Sequence, residues 1–287
     1  MSLSYSQTTT STPTTKSRAI IHKTRGATHG AITRLVSPGD VGELIKPFVF
    51  LDHFSATPNG FGGFGWHPHS GIATISVILE GATSYEETTG AKGVLNAGSV
   101  EFMRAGKGVW HTGAPVGKDR IVGYQLWIAL PSDLEHAPCA SHYLQSDDVA
   151  GDGPVRVILG RYGNAASSIA APATINYLVV DLKDGERWTY ATPAGHTVGW
   201  VAVHAGKLRT PALVSSGDLA VFEASDDAID FVAEGDTSFV LGSAVPHPHD
   251  LVVGSYSVHT SAQALMEGEA EIRRIYKDEP NLRASRR

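Results

Sequence analysis

From Ala19 onward the chain alternates short apolar runs with clusters of Gly, Pro, Asn and Asp. Such runs are ATISVILEG (73–81), VGYQLWIAL (122–130), VRVILG (155–160), INYLVVDL (175–182), VGWVAVHAG (198–206), DLAVFEA (218–224) and SFVLGSA (238–244). Runs rich in β-branched and aromatic residues, stopped by turn formers about every 8–12 residues, read as strands, and a succession of them predicts an all-β sandwich or barrel. Convincing helical periodicity occurs in one place. In TSAQALMEGEAEIRRIY (260–276), Leu265, Met266, Ile272, Ile275 and Tyr276 are predicted to share one helical face, with Thr260 or Ser261 as N-cap.

The strand runs fall into two similar groups. ISVILEGATSYEE followed by LNAGSVEFM has the layout of GWVAVHAGKLR followed by VSSGDLAVFEA: a strand, a turn containing Gly, and a return through Gly-Ser or Gly-Asp to Phe. This echo predicts two related antiparallel barrels in tandem, an N-terminal one over residues 18–135 and a C-terminal one over 136–287 that ends in the helix at about 260–276. The polar, turn-rich stretch 131–154 is the connector. Residues 1–17 are almost all Ser, Thr and Pro, bury nothing, and are expected to be a disordered tail.

Composition narrows the classes. Of 287 residues, 42% are hydrophobic and 18% charged, enough apolar material for a real core. The net charge of −6 and the absence of a Lys/Arg cluster argue against direct nucleic-acid binding. No apolar run approaches the roughly 18–20 residues of a membrane span. The single cysteine, Cys139, cannot form an intrachain disulfide, and the expected setting is the reducing cytoplasm.

Candidate chemistry lies in two His-Pro-His segments, WHPHSG (66–71) and VPHPHD (245–250). On a strand, His67 and His69 point to one side with Cβ atoms about 6–7 Å apart, a separation at which two imidazoles can converge on one ion. His111, in GKGVWHTGAP, follows after two strand runs and can return beside them as a third ligand. The opposing reading is a hydrogen-bonded surface pair, the commoner outcome for an isolated His-x-His. His247 and His249 have no later strand with a matching histidine. His259 stands just before the helix and His196 and His204 are isolated, so the second segment reads as a solvated turn. One candidate site results, in the first half.

The blocks PFVFLDHF, GFGWHPHSGIATISVILEG, GVLNAGSVEFMRAGKGVWHTGAP and GYQLWIALP resemble the pirin family of the cupin superfamily, and a looser resemblance runs from about Arg18 to Tyr276. The resemblance implies a bicupin, two jelly-roll barrels of which the first holds a divalent metal, iron foremost, with Zn, Ni or Cu as alternatives. It implies as ligands a His-x-His pair, matched by His67 and His69, and a later His-x-Glu, matched at His111. The glutamate has no match, because Gly113 stands there. Glu101, in the strand leading to His111, is the nearest acid that can substitute or act as base, although a solvent-facing position is the commoner state for a strand glutamate. The resemblance further implies a metal-dependent, quercetin-type flavonol 2,3-dioxygenase, an oxidoreductase with a small aromatic substrate. In that reading Phe61, Phe64, Trp66 and Trp110 line or gate the opening, or else serve as ordinary packing. The alternatives are a redox-responsive regulator that binds a protein partner, and a metal-poor cupin without catalysis.

Overall fold

The computed structural model describes residues 17–57, 61–280 and 282, so the tail expected over 1–17 lies, apart from Ser17, outside the described residues. The apolar runs do form strands. The first half builds a seven-stranded sheet, in the order 140–144, 100–104, 72–80, 121–129, 48–56, 32–36 and 27–29. A four-stranded sheet accompanies it, in the order 64–69, 109–115, 82–87 and 92–96. The second half contributes eight strands to one nine-stranded sheet. The sheets pair antiparallel within each half and make open jelly rolls rather than fully hydrogen-bonded barrels.

Burial explains why the central strands read as continuous apolar runs. Strand Ile72–Glu80 is buried at seven consecutive positions. One face, with Ile75 and Val77, packs with Tyr124 and Leu126 against Tyr177, Val179, Trp200 and Val240 of the second half. Its other face, with Ile78, meets Phe54, Ile121, Phe64 and Leu95 inside the first jelly roll. A strand covered on both sides loses the polar alternation of a half-exposed one. Each fully buried aliphatic or aromatic side chain contributes about 1.5–3 kcal/mol, so the core between the two large sheets is a main support of the fold.

The internal echo corresponds to a shared pairing pattern. Ala73–Val77 pairs with Val100–Arg104, and Trp200–Ala202 pairs with Leu219–Val221. A hairpin precedes the return in both halves, 82–87 with 92–96 and 207–209 with 213–215.

Pairing also crosses the expected boundary at 135/136 in both directions. Ile20–Thr24 adds to Leu219–Phe222 of the second sheet, anchored by Arg18, which is 0% exposed and donates to the carbonyls of Thr197 and Glu223. Ala140–Leu144, within the expected connector, adds to Val100–Arg104 of the first.

The C-terminal helix runs from Ala262 to Asp278, and of the two candidate caps it is Ser261 that accepts from the Ala264 amide. Its buried residues are Ala264, Gly268 and Ile272. Met266 does not share that face and is 60% exposed, because at 100° per residue it lies about 200° from Ala264. No helix among the described residues is long and apolar enough to cross a membrane.

Candidate metal centre

The His-x-His segment forms strand Phe64–His69 at the edge of the four-stranded sheet, where Pro68 needs no outward ladder partner. Its neighbour is strand Val109–Pro115, with His111 directly opposite His67 and Val109 opposite His69. That register brings three rings together, with centroids 4.3 Å apart for His67 and His111 and 5.0 Å for each of the other two pairs. One ligand atom from each lies within 4.8 Å of the others.

The outer ring nitrogens are held by the protein. His67 Nδ1 is 2.7 Å from the Gly65 carbonyl, and His69 Nδ1 is 3.2 Å from the Tyr256 carbonyl. Both contacts place the proton on Nδ1 and leave Nε2 as a lone pair, the tautomer a metal requires. The Nε2 atoms of His69 and His111 are buried and have no hydrogen-bond partner. A buried polar atom left so costs about 1–3 kcal/mol, a cost that a shared cation would remove. Burial, reinforced by the neighbouring His111, pushes His67 down to about 4 and His69 well below the ordinary histidine value. Both rings are therefore neutral near pH 7. By these criteria the three histidines fit a divalent transition ion.

Glu101 does not face solvent. It is 7% exposed, and its Oε1 lies 3.7 Å from His111 Nδ1. Burial alone would raise its carboxyl, but His111, with Ser76 and His67, outweighs that effect and holds it below the usual glutamate value. Position 101 faces inward because the strand Val100–Arg104 is covered on both sides, so the usual preference of glutamate for water does not decide its direction. Glu101 thus stands behind a histidine.

At Gly113 the neighbouring strand comes close: an added Cβ would lie 2.9 Å from the Ser84 carbonyl oxygen. The space beside Glu101, His111 and Gly113 is only about 40 Å³.

The roomy space lies on the other side of His67. A cavity of about 440 Å³ is lined there by Arg34, Phe50, Asp52, Trp66, Trp127 and Tyr256, among others. Phe50 and Trp127 stack with centroids 3.9 Å apart, and the Arg34 guanidinium sits 3.9 Å over Phe50. Asp52 pairs with Arg34, and burial raises its carboxyl despite that partner. Of the four aromatics expected at the opening, Phe64 and Trp66 line this cavity, and Phe61 packs on Phe64. Trp110 does not. It is 6% exposed and its indole donates to the Ile272 carbonyl of the C-terminal helix.

Sequence reasoning missed Asp52 and Tyr256. A lone acid within the apolar run PFVFLDHF was a signal for the first; Tyr256 reaches His69 from 187 positions away and left none. His247 and His249 lie in a loop, with His249 exposed and His247 Nε2 3.3 Å from the Leu130 carbonyl.

Comparison with known proteins agrees with this architecture. The pirin family model matches residues 30–128. A Pseudomonas aeruginosa protein named as a "putative quercetin 2,3-dioxygenase" is 33% identical over 193 residues, 62% of this chain and 68% of its own. A solved structure of quercetin 2,3-dioxygenase from Acinetobacter baumannii superimposes with a TM-score of 0.82 at 22% identity, covering 90% of this chain and 98% of that one. A bacterial pirin from Escherichia coli, solved in complex with nickel(II), gives 0.64 at 20% identity over 80% and 96%. With its bicupin fold and the motif-bearing strands in the matched region, the chain belongs to the pirin family.

Proposed function

We propose that this protein is a metal-dependent dioxygenase for a flavonol-type aromatic, with His67, His69 and His111 as its metal ligands. The observation that carries the reading is the convergence of three imidazoles, two of them (His69 and His111) with orphaned buried Nε2 atoms, beside an aromatic-walled cavity. When bound, a divalent ion, iron foremost, supplies Lewis acidity that favours the oxyanion of a hydroxyl next to a carbonyl.

The chain's own residues do the rest. A cavity of about 440 Å³ is within the range of sites for drug-sized ligands, and Phe50, Trp66 and Trp127 offer flat apolar walls for a polycyclic substrate. Asp52, raised by burial, stands on that wall and is the carboxylate able to take a proton from a phenolic hydroxyl. Glu101, which does not line this cavity, stands beside His111 and supplies the negative charge that a glutamate at position 113 would have brought.

Oxygen uptake with a flavonol tests the proposal, comparing iron-loaded wild type with His69→Ala. Uptake in the wild type that falls by at least a hundredfold in the variant is expected. Equal uptake in the two removes the oxygenase reading. Metal retention without uptake would instead favour a binding or regulatory protein.

A further inference from the structure

The residue after His69 leads into a second polar cluster that the proposed reaction does not use. Ser70, Glu135, Ser257 and His259 are at most 3% exposed. Ser70 Oγ donates to Ser257 Oγ at 2.8 Å and lies 2.9 Å from His259 Nε2. A hydroxyl has one proton to give, so Ser70 can only accept from His259, which places that ring's proton on Nε2. The packing is tight here: a Cβ at Gly71 would come within 2.7 Å of the His259 ring, and one at Gly268 within 2.5 Å of both His259 Nε2 and Ser70 Oγ.

His259 Nδ1 then turns a lone pair toward Glu135 Oε2, 3.2 Å away. Glu135 already accepts from the Thr260 amide at 2.8 Å and the Thr260 hydroxyl at 2.7 Å, so its oxygens are oriented. A lone pair facing a carboxylate needs a cation between them. A proton is the smallest such cation.

A larger cation has more donors within reach. The His136 ring stacks on His259 with centroids 5.5 Å apart, and one ligand atom each from Glu135, His136 and His259 lie within 4.8 Å of one another. From the C-terminal helix, Glu267 Oε2 comes to 3.6 Å from His136 Nε2. Ligands at about 2.0–2.1 Å from a tetrahedral ion are roughly 3.4 Å apart, near the 3.2 Å of the His259–Glu135 pair and the 3.6 Å of the His136–Glu267 pair, while the first three donors as a group lie within 4.8 Å of one another.

We propose that Glu135, His136 and His259, with Glu267 as fourth donor, form a second site for a divalent ion of the zinc class. Four protein donors would leave no position open for a substrate, which makes the role structural. The ion ties the loop between strands 121–129 and 140–144 to the segment before the helix and to the helix itself. Through Ser70 it also steadies the strand end that carries His69.

Metal counting after loading with excess zinc(II) and desalting tests this. We expect two zinc ions per wild-type chain, one in His69→Ala, and one in the double variant His136→Ala/Glu267→Gln. The double variant touches only the outer donors, whose side chains are 36% and 54% exposed, so folding is not at stake. A chelator is expected to lower the melting temperature of His69→Ala, which retains only the second ion. Two ions in the double variant, or none in His69→Ala, overturns the proposal. One ion in the wild type that survives His69→Ala and vanishes in the double variant supports the second site and contradicts the first.

Discussion

Gly113 and Glu101 show how one residue's surroundings decide its chemistry. The neighbouring strand lies close to Gly113, so the position could not carry a side chain without moving the Ser84 carbonyl. Gly113→Ala is therefore expected to cost about 1–3 kcal/mol in urea unfolding, as overpacking does; unchanged or greater stability would show the strands to be looser than described. Glu101 acts through His111, so Glu101→Gln is expected to weaken metal binding by roughly 10–100-fold, the usual cost of losing an outer-shell carboxylate. Competition against a chelator in the His136→Ala/Glu267→Gln background reads that change without interference from the second cluster. Equal affinity would mean that Glu101 is merely buried. From the sequence, the convergence of His67, His69 and His111 was readable because strand alternation and antiparallel return are short-range rules. The inward turn of Glu101 was not, since it depends on which faces the strand has covered.

Among the elements, the C-terminal helix marks the limit of periodicity. Its existence and its Ser261 cap were legible, but its buried stripe is narrower than the apolar residues suggest. Ile272, 7% exposed, packs with Trp110, whereas Met266 points to solvent. Ile272→Ala should cost about 2–4 kcal/mol, and Met266→Ala should stay within about 0.5 kcal/mol; similar losses from both would place the helix face wrongly. Trp110 was expected either near the opening, because it precedes His111, or in ordinary packing, and it is packed. Alternation sends adjacent strand residues to opposite faces, so its indole meets the helix instead. The crossing strands at 20–24 and 140–144 were illegible for a related reason: edge pairing is chosen by distant partners, Leu219–Phe222 and Val100–Arg104, not by local pattern.

For the whole molecule, the two halves share one core and exchange edge strands, so acid should unfold them together. Burial lowers several histidines, His53 and His67 to about 4 and His69 further. These rings stay neutral in the folded chain while their unfolded counterparts bind protons below about pH 6.5. The unfolded state then holds more protons, and stability must fall as pH drops from about 6.5 toward 4. Denaturant midpoints measured on metal-free protein should decline steadily across that window; a flat profile would mean the rings are solvated. The proposed function rests on three imidazoles sharing one ion in the leading jelly roll. Anomalous diffraction at the iron edge, from crystals grown anaerobically with Fe(II), measures that directly. A peak bonded to Nε2 of His67, His69 and His111 is the expected result, and iron-free density at that point, under saturating Fe(II), would contradict it.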